Sequence, residues 1–123
     1  MSGNSILIDT NIALYLLNGD ETIAQLLNGK YIYLSFVSEL ELLGFKDISV
    51  EETNSIKQFL SDCIIIDINE TIKENTIKLK TKYATKLPDA IIAATSIFMN
   101  IPCLSSDKGF DKIEELHFIR YDI

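Results

Sequence analysis

Residues 5–11 read SILIDTN, a short apolar run that ends in three polar residues. The length and composition of the run are typical of a buried strand in a parallel sheet. Each of the three polar residues can cap a helix, and apolar residues follow at helical spacing from Ile12. The stretch therefore predicts a buried strand that leads directly into a helix, with the carboxylate of Asp9 at the junction.

The same alternation of strand and helix continues along the chain. Further strands are predicted at 31–34, 64–68, 101–104 and 118–121. Helices are predicted at about 20–28, from Ser35 or Ser38 to Leu43, and at 51–61, 69–83 and 89–99. This order predicts an α/β fold, a three-layer α/β/α arrangement with a central parallel sheet of four to five strands. At this length we expect residues 1–123 to form a single domain.

Four acidic residues stand where a predicted strand ends or a predicted helix begins. They are Asp9, Glu41, Asp89 and Asp107. An open α/β sheet gathers the carboxyl ends of its strands along one edge, where ligands bind. A pocket of converging carboxylates is unfavourable unless a cation fills it, so the pattern predicts a divalent metal site.

Each of these acids also has a purely structural interpretation. Asp9 can cap the helix that follows it, and Glu41 stands three residues after Ser38 in the capping-box pattern S-x-x-E. Asp89 follows a proline in a first helical turn, and Asp107 lies in a turn-forming sequence. Their joint occurrence at positions that one sheet would bring together favours a shared site.

Composition limits the kinds of function. The net charge of −7 argues against tight, indiscriminate binding of duplex DNA, because such binding depends on Lys and Arg at phosphates. It does not exclude nucleic acid, since bound divalent ions would reverse the sign of the local field. With His117 as the only histidine, a His-rich metal site is excluded.

Cysteine usage and hydropathy predict a cytoplasmic location. Cys63 and Cys103 belong to no CxxC or Cys/His zinc spacing, so we expect both thiols to be reduced. There is no run of about eighteen apolar residues that would span a membrane. The N-terminus lacks the basic and apolar regions of a secretory signal.

Four stretches, taken in order, resemble the PIN domain in the small VapC-like form found as toxins of type II toxin–antitoxin systems. They are ILIDTNIALYLL (6–17), the S-x-x-S-x-x-E-L-L-G stretch (35–44), KLPDAIIAATSI (86–97) and LSSDKGFDKI (104–113). The third is the most specific. The resemblance covers nearly the whole chain and implies a PIN-like three-layer fold.

The resemblance also implies which residues form the site. Asp9 matches the family's first aspartate, Asp89 the aspartate that opens its buried helix, and Asp107 the aspartate of its (S/T)xD turn. All of them, with a glutamate, are implied as catalytic residues and metal ligands.

For that glutamate, Glu41 fits better than Glu39 because Leu-Leu-Gly follows it. Asn11 and Ser106 match polar positions that help to hold the site.

What the resemblance implies is a Mg²⁺- or Mn²⁺-dependent endoribonuclease that hydrolyses RNA with a metal-activated water. It further implies a cognate antitoxin that inhibits the enzyme, and a homodimer. Helices near residues 11–28 and 45–62 are expected to form the apolar groove that takes the antitoxin.

Two alternatives remain. The same fold can serve as a non-catalytic module that binds protein or RNA, which the acidic composition favours. The other is a phosphotransfer domain. Its phosphatase type needs a D-x-D motif after the first strand, and this motif is missing because Thr10 and Asn11 follow Asp9.

Overall fold

The computed structural model describes residues 3–122, and the sheet in this part of the chain has five parallel strands. The strands are β1 (Ser5–Ile8), β2 (Tyr31–Ser35), β3 (Ile64–Ile66), β4 (Cys103–Ser105) and β5 (Phe118–Arg120). Their order across the sheet is β3-β2-β1-β4-β5. This confirms the predicted fold class, whereas the single-domain organisation of residues 1–123 stays a prediction.

Six α-helices of the described chain cover the two faces of the sheet. They are α1 (Thr10–Leu17), α2 (Glu21–Leu27), α3 (Phe36–Leu43), α4 (Val50–Ser61), α5 (Glu70–Tyr83) and α6 (Leu87–Met99). Alternate residues of β1 point to opposite faces, so Leu7 packs with α5 and α6. Ile6 and Ile8 pack with α1, α2 and α4 on the other side. The result is the three-layer arrangement predicted from the sequence.

The central strand β1 marks the point where the strand order reverses. The chain runs from β1 outward through β2 to β3, and later returns to add β4 and β5 on the other side of β1. In open α/β sheets, ligands bind outside the carboxyl ends of the strands at such a point. The topology therefore directs attention to the residues that follow β1 and β4.

Three strands are shorter than the sequence predicts, and the last of them, β5, ends at Arg120 rather than at residue 121. The third strand was expected to reach Ile68 but ends at Ile66, because its neighbour β2 ends at Ser35, which pairs with Ile66. The fourth begins at Cys103, after Pro102, which has no amide hydrogen to donate to a neighbouring strand.

The capping box that the structural interpretation offered for Ser38 and Glu41 does not form. Helix α3 begins after Ser35, whose hydroxyl accepts a hydrogen bond from the Val37 amide, and Ser38 is buried inside the helix. A capping box is found instead at the start of α4, between Ser49 and Glu52. Glu41 therefore does not cap α3, although its sequence context allowed that role.

Two further observations concern the membrane and thiol predictions. Within residues 3–122, no helix has the length and apolar character needed to cross a bilayer. Cys63 and Cys103 are both free thiols, as expected. Partial burial raises the pKa of the Cys63 thiol to about 11, so at neutral pH it is protonated and a poor nucleophile.

The capping box gives a test of the fold. We expect Ser49→Ala to lower the free energy of unfolding by about 1 kcal/mol, because the amide of Glu52 loses its acceptor. The exposed Ser55 lies within the same helix and makes no cap, so Ser55→Ala should change stability by less than about 0.5 kcal/mol. Urea denaturation of both variants measures the difference, and equal stabilities would contradict the cap.

Candidate functional site

The four acidic residues singled out in the sequence line one cavity of about 440 Å³. It lies beyond the carboxyl ends of β1 and β4, where the strand order reverses. The wall is completed by Thr10, Asn11, Leu14, Phe45 and Ile92. No lysine, arginine or histidine of the described chain contributes to this wall, so no positive charge lies between the carboxylates.

Asp9 is the most buried of the four, with 5% of its surface exposed. One carboxylate oxygen accepts a hydrogen bond from the Ile12 amide (2.9 Å), so the residue does cap α1 as the structural interpretation proposed. The other oxygen accepts a hydrogen bond from the Ser105 hydroxyl. Burial raises the pKa of Asp9, the two hydrogen bonds oppose that rise, and the charges of Asp107 and Glu41 add to it.

Asp107 follows β4 and is exposed to solvent. Its carboxylate accepts a hydrogen bond from the Gly109 amide (2.8 Å), and its own amide donates to Ser105 Oγ (2.9 Å). The turn interpretation is therefore also correct. Ser105 is fully buried and connects Asp9 with Asp107 through a single hydroxyl.

The serine that contacts Asp9 is Ser105, whereas the sequence pointed to its neighbour Ser106 as a supporting residue. Ser106 lies with its hydroxyl 3.5 Å from that of Tyr15 and does not line the cavity. Ser105 is the last residue of β4, the direct neighbour of β1. The sequence does show that Ser105 is a polar residue at the end of a short apolar strand. Only the strand order, however, shows that this strand lies beside β1 and that Ser105 therefore reaches Asp9.

Glu41 reaches the cavity from the last turn of α3. Its Oε1 accepts a hydrogen bond from the Thr10 hydroxyl (2.5 Å), which is also hydrogen-bonded to Ser38 Oγ (3.0 Å). Glu39, two residues earlier on the helix, does not line the cavity. The structure thus places Glu41 rather than Glu39 beside the other acids.

Asp89 enters from the first turn of α6 and is half-buried. Its pKa is raised chiefly by burial, then by the charges of Asp107 and Asp9, while Lys86 lowers it. Asn11, expected to support the site, lines the cavity and is exposed. Four stretches separated in sequence thus contribute polar groups to one cavity.

The donor chemistry suits a hydrated hard cation better than an ion enclosed by protein. Carboxylate oxygens are the ligands that Mg²⁺ and Mn²⁺ prefer. Burial, and after it the mutual repulsion of the acids, raises the pKa values of Asp9 and Asp89, and a cation would offset both effects. Among residues 3–122, no three His, Cys, Asp or Glu side chains are grouped closely enough to hold one ion. Mg²⁺ does not require such a group, since it keeps several waters and takes one or two carboxylates together with substrate phosphates.

A family model of the PIN domain matches residues 6–116, which include all four acids. A chain of a toxin–antitoxin complex from Klebsiella pneumoniae superposes with a TM-score of 0.83 at 29% identity, covering 96% of this chain and 99% of that chain. A chain of VapBC2 from Rickettsia felis bound to a promoter DNA fragment has a TM-score of 0.81 at 21% identity. The match covers 96% of this chain and 99% of that chain. A chain of VapBC-1 from nontypeable Haemophilus influenzae has a TM-score of 0.79 at 22% identity. The match covers 94% of this chain and 97% of that chain. No curated protein matches the sequence significantly.

The buried charge of Asp9 predicts an unusual effect on stability. Because its pKa is raised on folding, the stability that Asp9 contributes is present at acid pH and is lost as the pH rises through the folded-state value. In the absence of metal, Asp9→Asn should therefore raise Tm by several degrees at pH 7, and by less near pH 4. The asparagine can still accept the hydrogen bond from the Ile12 amide.

Thermal unfolding in EDTA across this pH range measures the effect. Glu74→Gln provides a control, since Glu74 is an exposed carboxylate on α5 and should give no such pH-dependent gain. A lower Tm for Asp9→Asn at pH 7 would contradict the account of the buried charge.

Proposed function

This chain belongs to the PIN domain family, and we propose that it is a metal-dependent endoribonuclease, the toxin of a type II toxin–antitoxin module. The observation that carries the proposal is the cavity lined by four carboxylates and by no basic side chain of the described residues. The 29% identity with a chain of a toxin–antitoxin complex supports the assignment to a toxin.

In this proposal Asp9, Glu41, Asp89 and Asp107 hold Mg²⁺ or Mn²⁺ and are the catalytic residues. When bound there, such an ion would supply positive charge for the phosphate and a water of lowered pKa. The substrate is RNA, whose phosphodiester is hydrolysed.

The surrounding residues fix the carboxylates before substrate arrives. The Ile12 amide and the Ser105 hydroxyl each hold one oxygen of Asp9, and the Thr10 hydroxyl holds Glu41. Such outer partners set the orientation of metal ligands. Asn11 lines the cavity and retains its proposed supporting role, whereas the support proposed for Ser106 would act through its contact with Tyr15.

Hydrolysis needs no covalent protein intermediate. The oxygen of a water forms a bond to phosphorus while the bond from phosphorus to the 3′ oxygen breaks, and a proton from the water ends on that oxygen. The role of the carboxylates would be to hold the ion in place, and the half-buried Asp89 contributes negative charge from the first turn of α6.

We propose that a cognate antitoxin binds along α1 and α4. A second cavity of about 540 Å³ lies there, in the region predicted from the sequence. Its apolar residues include Leu14, Leu17, Ile48 and Ile56. An antitoxin segment with apolar side chains fits such a groove. A homodimer and a cytoplasmic location complete the proposal.

The alternative is a PIN-fold module that binds protein or RNA without cleaving it. The absence of a grouped set of three potential ligands among residues 3–122 is the observation in its favour. A module of this kind has no need of Mn²⁺, so metal binding distinguishes the two functions.

Removing the charge of a ligand should abolish cleavage. We expect Asp9→Asn, Asp89→Asn and Glu41→Gln each to reduce Mg²⁺-dependent RNA cleavage by at least about 100-fold, because even outer partners of metal ligands cost about 10- to 100-fold. Growth inhibition by the expressed protein should be lost as well. Glu39→Gln is the matched control, since Glu39 shares α3 with Glu41 but does not line the cavity.

Metal binding is measured separately by calorimetric titration with Mn²⁺ and by the rise in Tm that Mn²⁺ causes. Wild type and Glu39→Gln should bind the ion, and Asp9→Asn should bind it weakly. If the wild-type protein binds no Mn²⁺ at millimolar concentration, the interaction module is the better function.

The two adjacent serines give a second test. Ser105→Ala should reduce cleavage by about 10- to 100-fold, since Asp9 and the Asp107 amide both lose their hydroxyl partner. Ser106→Ala should have a smaller effect, and Ser105→Thr should recover activity because it restores the hydroxyl. Steady-state cleavage assays, with circular dichroism to verify folding, compare the three variants; a larger loss in Ser106→Ala would contradict the role of Ser105.

A further inference from the structure

Phe45 stands between the carboxylate cavity and the cavity beside α4. It lines both of them, together with Leu14. The side chain is 47% exposed and belongs to neither hydrophobic cluster of the described core. An aromatic ring that contributes to no core, yet forms the wall shared by two cavities, is available to a ligand.

The backbone on either side determines where Phe45 lies. Gly44 ends α3, and a Cβ at this position would lie 2.7 Å from the carbonyl oxygen of Leu40, so a larger residue would force the chain to shift. Two residues after Phe45, Asp47 adopts a positive φ of 60°, an uncommon conformation for a residue other than glycine. The ring is thus presented by the local conformation of residues 44–47.

The charges around the second cavity disfavour the sugar–phosphate backbone. Lys46 is the one basic residue of its wall, against three carboxylates of Asp47, Glu51 and Glu52. A nucleobase is uncharged, has two apolar faces, and carries N–H groups that carboxylates accept. The apolar and polar lining of this cavity therefore suits a base better than a phosphate.

We propose that Phe45 is a stacking platform for a nucleobase of the RNA, and that this base enters the second cavity while the adjoining phosphate faces the carboxylates. The proposal rests on the ribonuclease function proposed above. Aromatic rings hold unpaired bases in this way in many single-strand-binding proteins. A paired base cannot leave its stack without an energetic penalty, so the geometry selects single-stranded RNA. An antitoxin segment in the same groove would exclude the base.

The first experiment separates ring stacking from apolar contact. On a short single-stranded RNA of mixed sequence, Phe45→Ala should raise KM about 10-fold with little change in kcat, as expected for the loss of one stacked base. Phe45→Tyr keeps a ring and should retain the wild-type KM. Phe45→Leu keeps an apolar side chain without a ring and should resemble Phe45→Ala.

Phe98 supplies the matched control. It is 43% exposed and lies near the end of α6 opposite to Asp89, so Phe98→Ala removes a similar surface aromatic ring away from both cavities. The KM of Phe98→Ala should equal that of wild type. Equal KM values for Phe45→Leu and Phe45→Tyr would overturn the proposal.

The second experiment does not require cleavage. The same RNA carrying 2-aminopurine is titrated with protein in Ca²⁺, and stacking on the ring should quench its fluorescence. Quenching should persist in Phe45→Tyr and Phe98→Ala, and disappear in Phe45→Leu. A wild-type protein that quenches but does not cleave would contradict the ribonuclease function alone, whereas equal quenching by Phe45→Leu, or no binding of RNA at all, would overturn the stacking platform.

Discussion

A buried carboxylate at the end of the central strand is the constraint on which this site depends. Asp9 is held between an amide of α1 and a hydroxyl of β4, and both bonds stabilise its charged form. They do not offset burial and the neighbouring acids, since its pKa remains raised. The fold thus maintains an unfavourable charge that a cation would relieve, and such a conflict between stability and local charge is expected at a functional site.

Much of this arrangement follows from the sequence because its determinants are local or topological. An apolar run of four residues followed by a cap predicts β1 and α1, and parallel topology then brings distant strand ends to one edge. The partners of the acids were not predictable in this way. Asp9 meets Ser105 across 96 positions and Glu41 meets Thr10 across 31, so both contacts depend on strand order and helix placement. The start of α3 was undecided for a different, local reason, since Ser35 and Ser38 can both cap a helix and the structure uses Ser35.

The proposed action of an acidic chain on RNA presents an apparent contradiction, which the distribution of charge resolves. The proposed ions reverse the field where the phosphate must lie, and the remaining acids do not need to attract the polymer. Close to the carboxylate cavity, the wall of the second cavity carries more negative than positive charge and so repels phosphate. Under this arrangement the phosphate has one favourable position, and the adjoining base has another. Because the protein attracts RNA only weakly by overall charge, the choice of substrate would depend on the shape of the cavities and on base stacking.

Helix α3 connects these two positions mechanically. Glu41 lies in its last turn, and Phe45 follows directly after Gly44, so the proposed metal ligand and the proposed base platform lie at the end of one element. The helix is tied to α1 through the hydrogen bonds among Ser38, Thr10 and Glu41. A protein segment that binds along α1 and displaces α3 would therefore disturb the ion and the base together. If the proposed inhibitor binds at this surface, it would not need to reach the carboxylates, because a shift of α3 would move Glu41 and Phe45 together.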